Sequence, residues 1–290
     1  MNVQIDPGAG PCYGVDKAIK KAELFLNKDK TLICNGDLIH NEEEIARLQK
    51  KGLQNLDLNS AIKQHKKQIL FRAHGEPPSS YKLAEKHHIK VIDTTCYLVK
   101  NLQKRISQVY EENKTKQIAI FGHQKHPEII SLQGHCNNTA LIIENKKDLY
   151  KLDFTKPLHL FSQTTKYKSA YLSLKALIET QFENNHLDPE KYLFFESSSC
   201  PTVSKRDQQL KAFFQDKDLL IFVSGKRSTN GRQLYEICSS SGIESHFIST
   251  EKELQSPWFK NKKDIGISGA TSTPLWQLEE IKKAILSLPQ

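Results

Sequence analysis

No stretch of this 290-residue chain is apolar over a membrane-spanning length, which excludes a helical membrane anchor. No secretory leader is expected, since residues 1–15 already read as a strand followed by a Gly-rich loop. A cytoplasmic protein is expected. Close cysteine pairs of the C-x2-C kind are absent, which argues against a structural zinc site. There is no Walker-type phosphate loop either, which disfavours nucleotide hydrolysis. The net charge is +9, yet the lysines are scattered over helix faces (Lys17, Lys20, Lys21; Lys50, Lys51; Lys282, Lys283). With no dense basic arm and no basic–aromatic interleaving, nucleic-acid binding is not expected. A solvated lysine-rich surface accounts for the charge, and its field would also draw in a small anion or an acidic protein partner.

What the chain does contain is a repeated setting for three of its six cysteines. Asn2-Val3-Gln4-Ile5 leads through a Gly/Pro loop to Cys12, followed by the helical spacing of Val15, Ala18, Ile19, Ala22 and Leu26. Lys90-Val91-Ile92-Asp93 leads to Cys96 and a second such helix, and Tyr192-Leu193-Phe194-Phe195 leads to Cys200 and a third. Strand-to-helix turns at the carboxyl ends of parallel strands are where open α/β folds place their chemistry. Cys34, Cys136 and Cys238 sit in apolar elements and read as buried small hydrophobes. In a reducing compartment none of the six is expected to form a disulfide.

Strand-like and helix-like segments alternate along the chain, which predicts α/β architecture with parallel sheets flanked by helices. Strands are expected at 32–34, 69–71, 118–121, 141–143, 158–161, 219–223 and 265–267, and helices at 42–51, 81–88, 170–182, 233–240 and 275–288. Each third also holds two polar turns: His40-Asn41 and His74-Gly75, then the 122–128 and 163–165 turns, then the 225–231 and 269–274 turns. This predicts three similar small domains, 1–96, 97–199 and 200–290, with Cys96 and Cys200 at the starts of the second and third. Arranged about one axis, they would bring three thiols to one point.

Three well-separated thiolates suggest a cofactor held between domains, and thiolate is the preferred ligand of iron–sulfur clusters. With three ligands, a 4Fe-4S cluster keeps one iron open to substrate. Three unrelated turn cysteines, or zinc with hydrolase chemistry, are the alternatives. The polar turns suit an oxyanion, because helix N-termini offer unsatisfied N–H groups and a positive dipole end. Ser228, Thr229, Asn230 and Ser272 supply donors there, and His40, His74 and His126 add donors or positive charge. Each has a plainer reading: Ser228 or Ser272 as a helix cap, a loop histidine as a structural residue. In His126-Pro127-Glu128, Glu128 complements a helix dipole and is also placed to deliver a proton. Thr164 is a helix cap or a group that orients that proton or a substrate hydroxyl.

At these residues the chain resembles the 4-hydroxy-3-methylbut-2-enyl diphosphate reductases of the non-mevalonate isoprenoid pathway. The resemblance spans essentially the whole chain. It rests on Cys12-Tyr13-Gly14-Val15, Ile39-His40-Asn41, Ala73-His74-Gly75, Asp93-Thr94-Thr95-Cys96, Gly122-His123-Gln124-Lys125-His126-Pro127-Glu128, Gln163-Thr164-Thr165, Cys200 with Arg206, Ser228-Thr229-Asn230 and Ser272-Thr273-Pro274. It implies three α/β domains in pseudo-threefold arrangement around one 4Fe-4S cluster, with Cys12, Cys96 and Cys200 as ligands. It also implies diphosphate contacts from His40, His74, Ser228, Asn230 and Ser272, with His126 lining the same site. Glu128 is then the proton source, and Thr164 contacts the substrate's hydroxyl end. The implied reaction is reductive dehydroxylation to isopentenyl and dimethylallyl diphosphate, with electrons from a ferredoxin or flavodoxin. A non-catalytic iron–sulfur paralogue acting as a redox or iron sensor is the alternative on the same scaffold. The chain departs from the family pattern at Ala9-Gly10-Pro11, Tyr13, Tyr97, Ser131-Leu132 and Thr202-Val203. Tyr13 and Tyr97 are expected to crowd or shield the cluster.

Overall fold

The computed structural model describes residues 1–112 and 116–288. Twelve strands are assigned: β1 (Asn2–Ile5), β2 (Leu32–Cys34), β3 (Leu53–Asn55), β4 (Gln68–Phe71), β5 (Lys90–Asp93), β6 (Gln117–Phe121), β7 (Leu141–Ile143), β8 (Leu158–Ser162), β9 (Leu193–Phe195), β10 (Leu219–Val223), β11 (Ser245–Ile248) and β12 (Asp264–Gly269). The helices are α1 (Tyr13–Asp29), α2 (Glu42–Lys50), α3 (Leu58–Lys63), α4 (Pro78–Lys86), α5 (Tyr97–Glu112), α6 (Pro127–Gly134), α7 (Lys168–Asn184), α8 (Pro189–Tyr192), α9 (Pro201–Phe214), α10 (Thr229–Ser239) and α11 (Leu275–Leu286). The strands form three four-stranded sheets flanked by helices, the α/β architecture expected from the alternation. No helix among the described residues is long and apolar enough to cross a membrane.

The chain divides into two compact units, one built from residues 1–57 and 205–290, the other from residues 58–204. In the first unit the sheet order is β1-β12-β10-β11, all parallel. Strand β10 is buried at all five positions, as its unbroken Leu-Leu-Ile-Phe-Val run requires of a central parallel strand. Val3, Ile221, Ile265, Ile267, Leu278 and Ile281 form the core on one face of that sheet. Leu210, Phe222, Leu234 and Cys238 fill the other. This unit also carries β2 and β3, paired in parallel. In the second unit β4 pairs with β5 in parallel, and another sheet runs β7-β6-β8-β9.

One boundary differs from the expected division into consecutive thirds. Strand β1 lies against β12, with Asn2 opposite Asp264 and Ile5 opposite Ile267, so the first strand completes the sheet of the last third. The reason is burial: Val3 joins the apolar face covered by α11. The three cysteine-bearing turns then share one topological position, since β1, β5 and β9 each lie at a sheet edge.

Local chemistry sets the helix starts. Asn41 caps α2 by accepting the Glu44 N–H at 2.9 Å, with three glutamates in the first turn. Ser228 caps α10 by accepting the Gly231 N–H at 3.1 Å, so this helix begins four residues before the expected Gln233. Helix α4 likewise starts at Pro78, ahead of the expected Tyr81, because proline suits the first turn.

Candidate active site

None of the six cysteines is in a disulfide, and they fall into two groups. Cys34, Cys136 and Cys238 are fully buried, and the Cys238 thiol points at the Leu234 carbonyl at 3.4 Å. Burial pushes the Cys238 thiol up to about 12, as an inert core thiol requires. Cys12, Cys96 and Cys200 are half-buried, and each immediately precedes a helix, α1, α5 and α9 respectively.

The three turns repeat down to single hydrogen bonds. The Cys12 N–H donates to the Thr271 carbonyl at 2.9 Å, the Cys96 N–H to Ala73 at 3.0 Å, and the Cys200 N–H to Thr164 at 2.7 Å. Each cysteine carbonyl then accepts the amide four residues on, from Asp16, Lys100 and Ser204. Every cysteine turn is thus clamped to the polar turn that ends the neighbouring strand. These polar turns carry Ser272, His74 and Thr164, so the pairing of thiol and polar turn is built into the repeat. Gly75 makes the His74 turn possible: its φ is +77°, and a Cβ there would lie 2.3 Å from Gln103 Nε2.

In the second unit, Cys96 Sγ accepts the backbone N–H groups of Leu98 and Val99. Burial nevertheless raises its pKa, and the charges of Cys200 and Glu128 push in the same direction. Cys96, Cys200 and Glu128 are therefore electrostatic neighbours. Glu128 is 1% exposed, and its two oxygens are both engaged by Thr164: the backbone N–H at 2.6 Å and the hydroxyl at 2.9 Å. Desolvation outweighs those two bonds and lifts the Glu128 carboxyl to about 7. A fully buried acid that holds its proton near neutrality is equipped to donate it. His126 caps α6, its Nδ1 accepting the Glu128 N–H at 3.1 Å, which places the proton of the neutral ring on Nε2. His74 meets His126 edge to face, ring centroids 5.1 Å apart.

In the first unit the predicted anion donors are joined as well. Ser228 and Ser272 hydroxyl oxygens lie 3.4 Å apart, and Ser272 Oγ donates to the His40 carbonyl at 3.3 Å. Asn230 Oδ1 accepts both the backbone N–H and the hydroxyl of Thr271, at 3.2 and 2.9 Å. This fixes the amide so that Nδ2 is the remaining donor, and that atom is buried with no partner among the described residues. A buried amide donor without a partner is costly unless a ligand accepts from it. Thr229 is not brought in with them; it is exposed on the outer side of the same helical turn. Gln277 was not anticipated: its Oε1 accepts from Asn41 at 2.8 Å and its Nε2 donates to the Ser249 carbonyl at 2.6 Å, tying the His40-Asn41 turn to α11. Thr271 was also missed, although its place matches Ala73 and Thr164 in the repeat. Tyr13 and Tyr97, the residues expected to crowd or shield a cofactor, are 62% and 54% exposed. As the first residues of α1 and α5 they point outward while the preceding cysteines stay half-buried.

Fold and site together describe an α/β protein of three repeated sheets, each ending in a cysteine turn clamped to a polar turn. Residues 3–286 match the LytB protein family, and the chain belongs to that family. A relative from Bacteroides thetaiotaomicron, a 4-hydroxy-3-methylbut-2-enyl diphosphate reductase, is 41% identical over 97% of this chain and 96% of its own. The reductase of the same name from Chloroherpeton thalassium is 36% identical over 98% of this chain and 96% of its own. A solved (E)-4-hydroxy-3-methyl-but-2-enyl diphosphate reductase, the terminal enzyme of the non-mevalonate pathway, superposes with a TM-score of 0.74 at 28% identity, covering 99% of each chain. The Plasmodium falciparum E-1-hydroxy-2-methyl-but-2-enyl-4-diphosphate reductase shares the fold with a TM-score of 0.83 at 24% identity, over 99% of this chain and 88% of its own.

Proposed function

We propose that this chain is an iron–sulfur oxidoreductase that converts (E)-4-hydroxy-3-methylbut-2-enyl diphosphate, two electrons and two protons into isopentenyl or dimethylallyl diphosphate and water. Identity over nearly the full length to reductases of that name supports the assignment. Cys12, Cys96 and Cys200 would hold the cofactor, which we infer to be one 4Fe-4S cluster. When bound, such a cluster with one open iron supplies a Lewis acid for the allylic hydroxyl and a path for electrons. The residues fit it. Burial disfavours the thiolate form of Cys96 until a cation is supplied, and two backbone N–H groups already point at its sulfur.

The protein's own part is to hold the diphosphate and move protons. His40, His74, His126, Ser228, Asn230 and Ser272 would bind the diphosphate, with the unpartnered Asn230 Nδ2 as one available donor. Glu128 delivers a proton, and Thr164 holds its carboxyl in a fixed orientation, so delivery needs little reorganisation. We infer a cytoplasmic setting, where cysteines outside disulfides stay reduced. An acidic ferredoxin or flavodoxin is the inferred electron donor.

The observation that carries the proposal is the chain from Glu128 through Thr164 to Cys200, which links a neutral buried acid to a cysteine turn. Anaerobic purification followed by iron, sulfide and turnover assays tests it. A brown protein that reduces the allylic diphosphate with dithionite is expected, and Cys96→Ser or Cys200→Ser should lose both colour and turnover. A brown protein without turnover would point to a sensor on this scaffold, and a colourless zinc protein would remove the reading.

A further inference from the structure

Helix α1 leads away from Cys12, and its outer stripe has a composition that folding does not require. Tyr13, Lys17, Lys20 and Leu24 follow at helical spacing and are all exposed, Tyr13 at 62% and Leu24 at 68%. The stripe covers twelve residues, about 18 Å of helix, starting at the residue after the cysteine. Lys17 Nζ lies 6.0 Å from the Tyr13 ring centroid, holding cation and aromatic together.

The acidic groups nearby are already engaged. Asp16 pairs with Lys20 at 2.7 Å, and Glu23 is held by Arg47 at 2.8 Å and Lys51 at 2.7 Å. Counting Lys17, Lys20, Lys21, Arg47 and Lys51 against Asp16, Glu23 and the Glu44 that also holds Arg47, this face is net positive. Helix α5 opens in a similar way, with Tyr97, Lys100 and Lys104 after Cys96. There Lys100 pairs with Asp93 at 2.6 Å and Arg105 with Glu196, and Tyr97 is, among the described residues, the one exposed large apolar side chain of the helix, so no apolar residue closes the far end of that stripe as Leu24 does on α1. A basic stripe with exposed apolar residues at both ends matches a protein of opposite charge carrying a small apolar contact.

We propose that the Tyr13–Lys17–Lys20–Leu24 face of α1 is the docking surface for an acidic one-electron carrier protein, with electrons entering at the Cys12 end of the helix. This rests on the proposed reductase function. Each encounter oxidises the reduced carrier by one electron, and two encounters supply the two electrons that leave in the dehydroxylated product, with two protons taken up and water released. Positive charge along the stripe speeds encounter, and a carrier seated on Tyr13 lies next in sequence to Cys12.

The test uses the cluster-loaded, full-length Lys17→Glu/Lys20→Glu variant. Turnover is measured with dithionite-reduced methyl viologen and, separately, with a reduced, strongly acidic [2Fe-2S] ferredoxin. The expected result is a KM for ferredoxin raised about tenfold or more. Its salt dependence should flatten, with viologen turnover unchanged. A ferredoxin KM and salt dependence equal to wild type would overturn the proposal. So would a larger effect from Lys100→Glu/Lys104→Glu on α5. If the α1 variant loses viologen turnover, Lys17→Gln/Lys20→Gln decides by the same ferredoxin KM. Wild-type enzyme inactive even with viologen would fail the reductase reading itself, a separate result.

Discussion

Thr164 donates to both carboxylate oxygens of Glu128, through its amide at 2.6 Å and its hydroxyl at 2.9 Å, while its carbonyl receives the Cys200 N–H at 2.7 Å. One residue thus uses all its hydrogen-bonding groups to fix an acid relative to a cysteine turn. Such bonds stabilise the ionised carboxylate, and burial wins over them, leaving Glu128 near 7.

Glu128→Gln removes the transferable proton while keeping the side chain's shape. We expect kcat to fall about 10²–10³-fold with the KM for the diphosphate changed less than threefold, measured with dithionite-reduced viologen. Wild-type turnover should decline above pH 7 as the acid ionises. Undiminished kcat in the variant would remove Glu128 as the proton source.

Glu128 also couples stability to pH. The native state keeps this proton up to about 7, whereas an unfolded glutamate releases it near 4.5. Between those values the folded chain binds more protons, so its stability falls as pH rises, by about 3 kcal/mol at most. Urea titrations of cluster-free protein at pH 4.5, 6 and 7.5 should show the decline, and Glu128→Gln should flatten it.

Thr164→Val deletes only the hydroxyl donor. Losing a bond to the ionised form raises the Glu128 pKa further, so the alkaline limb of the pH–rate profile should move upward while kcat at pH 7 changes less than in Glu128→Gln. A downward shift would contradict the hydrogen-bond assignment.

Asn230→Asp preserves the acceptor for Thr271 but replaces the unpartnered Nδ2 donor with a charged acceptor. The diphosphate KM should rise on the order of 10²-fold, with the cluster spectrum unchanged. Equal KM in mutant and wild type would mean that Asn230 faces no anion.

Arg206 is 1% exposed and pairs with Asp6, with Ser268 bonded to both. Arg206→Met leaves the Asp6 carboxylate buried without its cation and should cost about 3–5 kcal/mol in chemical denaturation. Adding Asp6→Asn should recover much of that loss.

Much of the architecture was legible in the sequence because apolar periodicity is strong where elements are buried. Strand β10 and helix α1 announce themselves this way. Strands β3 and β11 did not: they are three- and four-residue edge strands with one buried residue each, too little apolar signal to separate them from loops. Thr229 stands apart from Ser228 and Asn230 for a related reason. Three consecutive polar residues cannot all face inward on a helix, and helical rotation turns the middle one to solvent. Likewise Tyr13 and Tyr97, adjacent to cysteines in sequence, point outward.

The sequence by itself determined the repeat: strand, cysteine turn, helix, and two polar turns in each third, because hydrophobic spacing and turn chemistry are local properties. Only the tertiary structure decided that β1 completes the last sheet, that Thr164 grips both oxygens of Glu128, and that Asn230 keeps one buried donor in reserve. Those facts depend on backbone and side-chain groups meeting across separations of 36 to 262 residues, and residue identity alone carries no record of such meetings.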